Sequence, residues 1–198
     1  MVWLSIPKRN RASCLIIYIA YGAEIAIGDW NEEEGLALKK QLGDRIRFRK
    51  CDASKWDDLL ALFHDTWTAF GVIHTVISNA GISFPDTSLT EDEYNEAGVL
   101  LPPDLRSIDV NLNAHIYIIK CALHYFKKWP TVQCQIVLTA SAGSFFPAPP
   151  VYTYCAAKAG VVALMRGFRS EVVKKNATIN IVAPWLTSTQ LTGLVVLF

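Results

Sequence analysis

The sequence has almost no excess charge: 19 Lys and Arg against 18 Asp and Glu leave +1 over 198 residues. That removes the electrostatic case for nucleic acid or an acidic membrane surface as a partner. It has no CxxC pair, and its five cysteines, Cys14, Cys51, Cys121, Cys134 and Cys155, are odd in number and matched to no histidine spacing. A disulfide frame and a bound metal are therefore not expected, and the thiols read as buried side chains in a reducing, cytoplasmic compartment. No run reaches the roughly 20 apolar residues of a membrane-spanning helix. Lys8, Arg9 and Arg11 ahead of CLIIYIAYGAEIAIG have the outline of a signal peptide. The same residues parse better as a helix, a turn at Gly22 and a strand ending at Asp29. There is no internal repeat and no low-complexity linker.

What is present suits one sheet-centred globule spanning residues 1–198, with 52% hydrophobic and 19% charged residues. After Asp29, NEEEGLALKKQLG predicts a helix with Asn31 as N-cap, Glu34 placed for a capping box and Gly43 as its stop. RIRFRKC is a short strand ending beside Asp52. Ser54 is placed to cap the next helix, with Leu59, Leu60, Phe63, Trp67 and Phe70 as its apolar stripe. IHTVISNAG runs from strand into turn, and residues 82–103 read as a polar connection with room for one helical turn. From Leu105 to Phe126, the steps Leu112, Ile116, Ile119, Leu123 and Phe126 predict a long buried helix. QIVLTAS is an apolar strand, Tyr152 to Val173 another long helix, and TINIVAP a last strand. This alternation predicts an α/β fold, a doubly wound parallel sheet with right-handed crossovers and helices on both faces.

The segment SAGSFFPAPPVYTYCAAKAG carries the chemistry. Tyr154 and Lys158 stand four apart in a helical segment, so they share a face. Ser141 ends the preceding strand, at the carboxyl edge where open α/β sheets bind ligands. A phenol titrates near pH 10, too high for a good base at neutrality, and a neighbouring ammonium favours the phenolate. A serine hydroxyl can hold a substrate oxygen while hydride moves to or from its carbon. Ser144 is the rival for that role but sits three residues later. The histidines His64, His74, His115 and His124 show no metal-like grouping and read as surface or satisfied core residues. Of the six tryptophans, Trp30 directly follows Asp29 and the other five read as core.

ISNAG, DVNLN, the serine-to-YxxxK segment and INIVAPW together resemble the short-chain dehydrogenase/reductase family, across residues 12 to 190. GDWNEEEG resembles the branch of NAD-dependent prostaglandin-oxidising dehydrogenases and their fungal relatives. The resemblance implies a Rossmann-type domain in which Tyr154 is the general acid/base, Lys158 assists it and binds the nicotinamide ribose, and Ser141 orients the substrate oxygen. It implies that Asn111 supports a water-linked proton relay; the other reading of Asn111 is a backbone clamp at a helix bend. Asn79 would sit near the adenine ribose or steady the central strands, and Asp52 would accept from the adenine amino group. Thr187 and Thr189 match positions that contact the nicotinamide carboxamide.

Asp29 has its own logic. A carboxylate ending the second strand can take both ribose hydroxyls of an adenosine and repels a 2′-phosphate, so NAD is favoured over NADP. The phosphate loop departs from the family pattern. Its register falls on MVWLSIPKRNR, which contains no glycine, so the close backbone approach to a pyrophosphate is blocked. Met1 to Leu4 leave a stub of the central strand, and after Thr189 the chain ends in LTGLVVLF where relatives continue. The first strand, the glycine loop and the C-terminal elements are thus expected to be incomplete.

The function expected is hydride transfer between a nicotinamide cofactor and a secondary alcohol or ketone of a small, fairly apolar molecule. The apolar guess rests on Phe145, Phe146, Pro147, Pro149, Pro150 and Val151 as pocket wall. The resemblance adds specialised-metabolite biosynthesis as a setting, and pairing through the two longest helices into a homodimer or homotetramer. The rival is a catalytically silent scaffold on the same fold, or a product that has lost its dinucleotide loop.

Overall fold

The computed structural model describes residues 1–4, 12–146 and 149–185. Six strands, β1 (Val2–Leu4), β2 (Ile25–Asp29), β3 (Ile46–Lys50), β4 (Thr75–Ser78), β5 (Cys134–Thr139) and β6 (Ala177–Val182), form one sheet. Their order is β3-β2-β1-β4-β5-β6 and every pairing is parallel. The reversal of direction beside β1 is where such sheets open a crevice at their carboxyl edge.

Successive strand residues point to opposite faces, and each face carries its own core. Val2, Leu4, Ala26, Val76, Ile136 and Leu138 pack on one side with Leu59, Phe63, Ile118 and Val161. Those last four come from α3 (Trp56–Phe70), α6 (Ala114–Phe126) and α7 (Tyr152–Val173). Trp3, Ile25, Ile27, Ile46 and Ile77 face the other way, against Leu15 and Leu38. Those two come from α1 (Ala12–Ala20) and α2 (Glu32–Leu42). The doubly wound sheet with helices on both faces follows. The stub β1 is short, but it pairs along its whole length, Val2, Trp3 and Leu4 with Ala26, Ile27 and Gly28 on one side and Val76, Ile77 and Ser78 on the other.

The Asn31 cap and the Gly43 stop of α2 hold. Asn31 Oδ1 accepts from the Glu34 N–H at 3.1 Å, and Gly43 ends the helix at φ 81°, its N–H donating to Lys39 O at 3.0 Å. Ser54 does not cap α3. Its N–H and its Oγ both donate to Asp52 Oδ1, at 2.9 and 2.7 Å, and Lys55 takes the cap position without a side-chain bond. Leu62, not Leu60, completes the buried stripe of α3, because Leu60 is 41% exposed.

The 82–103 connection holds one short helix, α4 (Thr87–Thr90), and a single bridge between Tyr94 and Leu100. The long helix expected from Leu105 is interrupted. After α5 (Arg106–Ile108), residues Asp109–Asn113 form a π turn, with the Ala114 N–H donating to Asp109 O, before α6 continues. α6 has two apolar faces. The one that meets the sheet is Ala114, His115, Ile118, Ile119, Ala122 and Phe126, whereas Ile116 lies 43% exposed on the other. Cys14 is exposed and Cys155 half-buried, and Trp56, Trp129 and Trp185 are more than a third exposed, so the expectation of buried thiols and core tryptophans holds only in part.

β2 and α3 touch at Gly28, where a Cβ would come within 2.5 Å of Leu62 Cδ2, 3.2 Å of Cys51 Cβ and 3.3 Å of Leu4 Cδ2. Gly28→Ala should therefore destabilise the fold by about 1–3 kcal/mol in urea unfolding, and adding Leu62→Ala should remove much of that increment. Additive effects in the double variant would contradict the contact.

Candidate active site

The carboxyl ends of β4 and β5 and the start of α7 meet at one corner. Ser141 follows β5 in extended backbone, φ −159° and ψ 160°. Its Oγ accepts from the Gly143 N–H at 3.1 Å, and Ser144 Oγ accepts from the Ser141 N–H at 3.2 Å. The Ser144 hydroxyl thus bonds back to the Ser141 backbone. Gly143 makes the corner close. A Cβ there would lie 3.5 Å from Ser141 Oγ and 3.6 Å from Tyr154 Cε1, so hydroxyl and phenol ring flank the same point.

Lys158 lies one turn deeper in α7, only 3% exposed, with its Nζ 5.9 Å from the centre of the Tyr154 ring. Nζ donates to Thr139 O at 2.8 Å, at the end of β5. Burial pulls this ammonium from 10.5 down to about 8. Gly81 admits it: a Cβ at that position would sit 3.5 Å from Lys158 Nζ and 2.8 Å from Asn111 Oδ1.

Asn111, fully buried in the π turn, clamps the chain after β4. Its Oδ1 accepts from the Ile82 N–H at 3.1 Å, and its Nδ2 donates to Ile82 O at 2.7 Å and to Ser107 Oγ at 3.0 Å. Those bonds are the backbone-clamp geometry. Asn79 Oδ1 accepts from Thr139 Oγ1 at 2.9 Å and so ties the ends of β4 and β5 together. His115 is fully buried one turn beyond Asn111, its Nδ1 2.5 Å from Ser78 Oγ. Burial, with the Lys158 charge nearby, holds its imidazole well below the usual range and therefore neutral. Its Nε2 has no hydrogen-bond partner among the described residues, so it is not a fully satisfied core histidine.

The second group of predicted residues stands at the ends of β2 and β3. Asp29 closes β2, 6% exposed, and its Oδ1 accepts from the Asn31 N–H at 2.8 Å. Trp30, beside it, is 70% exposed. Asp52 lies next to Cys51, whose N–H donates to Asp29 O at 2.9 Å, so the two carboxylates sit on adjoining strand ends. Asp52 Oδ1 is held by Ser54, and the Asp52 N–H donates to Asp58 Oδ2 at 2.8 Å. Thr187, Thr189 and the basic segment 5–11 lie outside the described residues. Among the described residues no group of His, Cys, Asp and Glu could hold a metal ion. No described helix is long and apolar enough to cross a membrane.

A family model described as short chain dehydrogenase matches residues 13–196. The chain belongs to the short-chain dehydrogenase/reductase family. It is 35% identical over 144 residues to short-chain dehydrogenase/reductase ATR7 of Stachybotrys chlorohalonatus, a match covering 73% of this chain and 43% of that protein. It is 31% identical over 175 residues to short-chain dehydrogenase/reductase prx4 of Penicillium roqueforti, covering 88% of this chain and 50% of the relative. The chain thus spans about half the length of these relatives. A 5′-hydroxyaverantin dehydrogenase of Dothistroma septosporum is 26% identical over 190 residues, covering 88% of this chain and 62% of that one. Among solved structures, a 3-ketoacyl-(acyl-carrier-protein) reductase from Brucella melitensis complexed with NADH superposes with a TM-score of 0.84 at 20% identity, over 97% of this chain and 77% of that one. A short chain dehydrogenase from Mycobacterium smegmatis gives 0.79 at 24%, over 94% and 77%. These two likenesses show the Rossmann-type fold.

Sequence reasoning missed four residues that build this corner of the family member. Thr139 holds the Lys158 ammonium through a main-chain carbonyl, Gly81 makes room for it, and Ser78 and Asp86 are buried and polar. A carbonyl acceptor leaves no trace in side-chain identity. The glycine of SNAG was legible as a turn, not as space for an amine.

The depressed Lys158 value sets a pH dependence. The folded chain gives up this proton more readily than the unfolded chain, so burying the charge costs stability in full below about pH 8. That cost, on the order of 3 kcal/mol, falls away as the pH rises toward 10.5. Lys158→Met should therefore gain most on wild type in thermal unfolding at pH 7, with its advantage shrinking between pH 8 and 10.5. A difference that stays flat across that window would contradict the burial of a charged amine.

Proposed function

We propose that the protein is an oxidoreductase that moves hydride between a nicotinamide cofactor, NAD in preference to NADP, and a secondary alcohol or ketone of a small apolar molecule. The observation that carries this reading is the convergence of Ser141 Oγ and the Tyr154 ring beside Gly143, with the buried Lys158 amine behind them. Ser141 can donate to the substrate oxygen, because its contact with Gly143 uses it as an acceptor and leaves its proton free. Tyr154 passes a proton to or from that oxygen, and the Lys158 ammonium stabilises the negative charge left on the phenol. A bound nicotinamide would supply the hydride acceptor or donor at the substrate carbon. Asn79 keeps the ends of β4 and β5 from moving apart as the proton shifts, and Asn111 holds the chain after β4 against the π turn.

The protein fits both ends of such a cofactor. Asp29 and Trp30 suit the adenosine, a carboxylate for ribose hydroxyls and an exposed ring for the base, with Asp52 beside them. Lys158 and Tyr154 suit the nicotinamide ribose, and Thr187 and Thr189 are assigned to its carboxamide from the family resemblance. The relative named for 5′-hydroxyaverantin and the neighbour holding NADH support alcohol or ketone chemistry with a nicotinamide. Specialised-metabolite biosynthesis is the setting we favour. The apolar substrate rests on Phe145 and Phe146, both more than half exposed next to Ser141, and on Trp185, whose ring meets Phe146 edge to face at 5.6 Å. Leu112, Ile116, Ala163, Leu164 and Phe168 leave an open apolar face between α6 and α7, and we assign it to pairing of two copies in a homodimer or a homotetramer.

The silent-scaffold reading keeps one support, the absence of glycine from residues 1–11. Titration with NADH followed by fluorescence separates the two, since an enzyme gives a saturable signal and a scaffold none. Tyr154→Phe should abolish turnover with the folded state intact by circular dichroism; retained turnover rules that phenol out as acid/base. Steady-state kinetics should give the higher kcat/KM with NAD, and a clear preference for NADP would overturn the role given to Asp29.

A further inference from the structure

Lys158 is pinned from the sheet, through Thr139 O, but Tyr154 stands in the first turn of α7, where helices fray. Val151, which precedes the helix, makes no side-chain cap bond. The acceptor comes from 67 residues upstream. Asp86, 2% exposed, accepts from the Thr153 N–H at 2.7 Å and from Thr153 Oγ1 at 2.5 Å. The Asp86 N–H donates to Pro150 O at 2.8 Å, which fastens the chain entering the helix as well.

We propose that Asp86 is a positioning residue for Tyr154, acting through Thr153 from the far side of the active-site corner. The proposal rests on the reading of Tyr154 as acid/base. A buried carboxylate is tolerated only when its oxygens are bonded, and here Thr153 donates one hydrogen bond to each. Its place at the start of a 22-residue helix is also favoured by the helix dipole. A Ser or Asp at position 151 would cap α7 equally well for stability alone. Drawing the cap from the connection does something more. The segment from Ile82 to Asp86 is held at one end by the Asn111 amide and at the other by Thr153, so it is a strut between the π turn and the tyrosine. The separation of phenol and ammonium is then set by two independent anchors, Thr139 for Lys158 and Asp86 for Tyr154.

The test compares Thr153→Val, Thr153→Ser and Asp86→Ala with wild type and Tyr154→Phe. The Thr153 substitutions remove no titratable group, whereas Asp86→Ala removes one carboxyl. We expect Thr153→Val and Asp86→Ala to lower kcat by roughly 10- to 100-fold, a larger change than in the KM for the nicotinamide, while NADH still gives a saturable binding signal. Thr153→Ser, which keeps the hydroxyl donor, should restore wild-type kcat. In carbon-13 spectra of ring-labelled tyrosine, the resonance missing from Tyr154→Phe should shift or broaden in Thr153→Val and return in Thr153→Ser. Wild-type kcat and an unmoved Tyr154 resonance in Thr153→Val, with only the melting temperature lowered, would overturn the clamp and leave the proposed function standing. Turnover retained in Tyr154→Phe, or absent from wild type, would overturn that function and the clamp with it. If Asp86→Ala does not fold, the Thr153 pair decides the matter alone.

Discussion

A single ammonium, buried at the carboxyl edge of the sheet, constrains the corner around it. Lys158 has left water almost completely, and its Nζ donates to a main-chain carbonyl of β5 at 2.8 Å. No carboxylate pairs with it among the described ion pairs, so its charge is not cancelled locally. That is unfavourable for folding and useful for chemistry, because an unneutralised charge in a medium of low polarity acts strongly on the next polarisable group. The next such group is the Tyr154 ring. Gly81 has no Cβ where the amine needs room, and the neighbouring His115 is held neutral, so it adds no second positive charge.

Much of this fold could be read in the sequence because its signals are local. Alternating apolar strands and periodic helices fix a parallel sheet, and Asn31, Glu34 and Gly43 fix the ends of α2 within a few residues of chain. Ser141, Tyr154 and Lys158 were legible for the same reason: a strand end and a helical spacing of four place them together. The errors have physical causes too. Ser54 resembles a cap, but Asp52, two residues earlier, competes for its hydroxyl and wins with a carboxylate acceptor. On α6, two apolar faces satisfy the same periodicity, and only the sheet decides which one is buried. Ile116 is left outside and His115 is brought in, below a π turn that periodicity cannot foresee.

Contacts over long sequence separations were the illegible part. Asn111 to Ile82 spans 29 residues, Thr139 to Asn79 spans 60, and Asp86 to Thr153 spans 67. Each is a buried or part-buried side-chain hydrogen bond whose partner could not be named without the fold. Together they join four separate stretches of chain into one frame behind Ser141, Tyr154 and Lys158. Such frames keep reacting atoms within the fractions of an ångström that proton and hydride transfer require. On the side proposed for the cofactor, Asp29, Trp30 and Asp52 stand at the ends of β2 and β3, while Thr187, Thr189 and residues 5–11 lie outside the described residues.

The account depends on that amine carrying its charge where water does not reach. Nitrogen-15 NMR of labelled lysine, with Lys158→Met to assign the signal, measures this directly as a titration of the Lys158 side chain. A midpoint near 8 is the predicted result. A midpoint at the ordinary lysine value, about 10.4, would show a solvated amine and contradict the account.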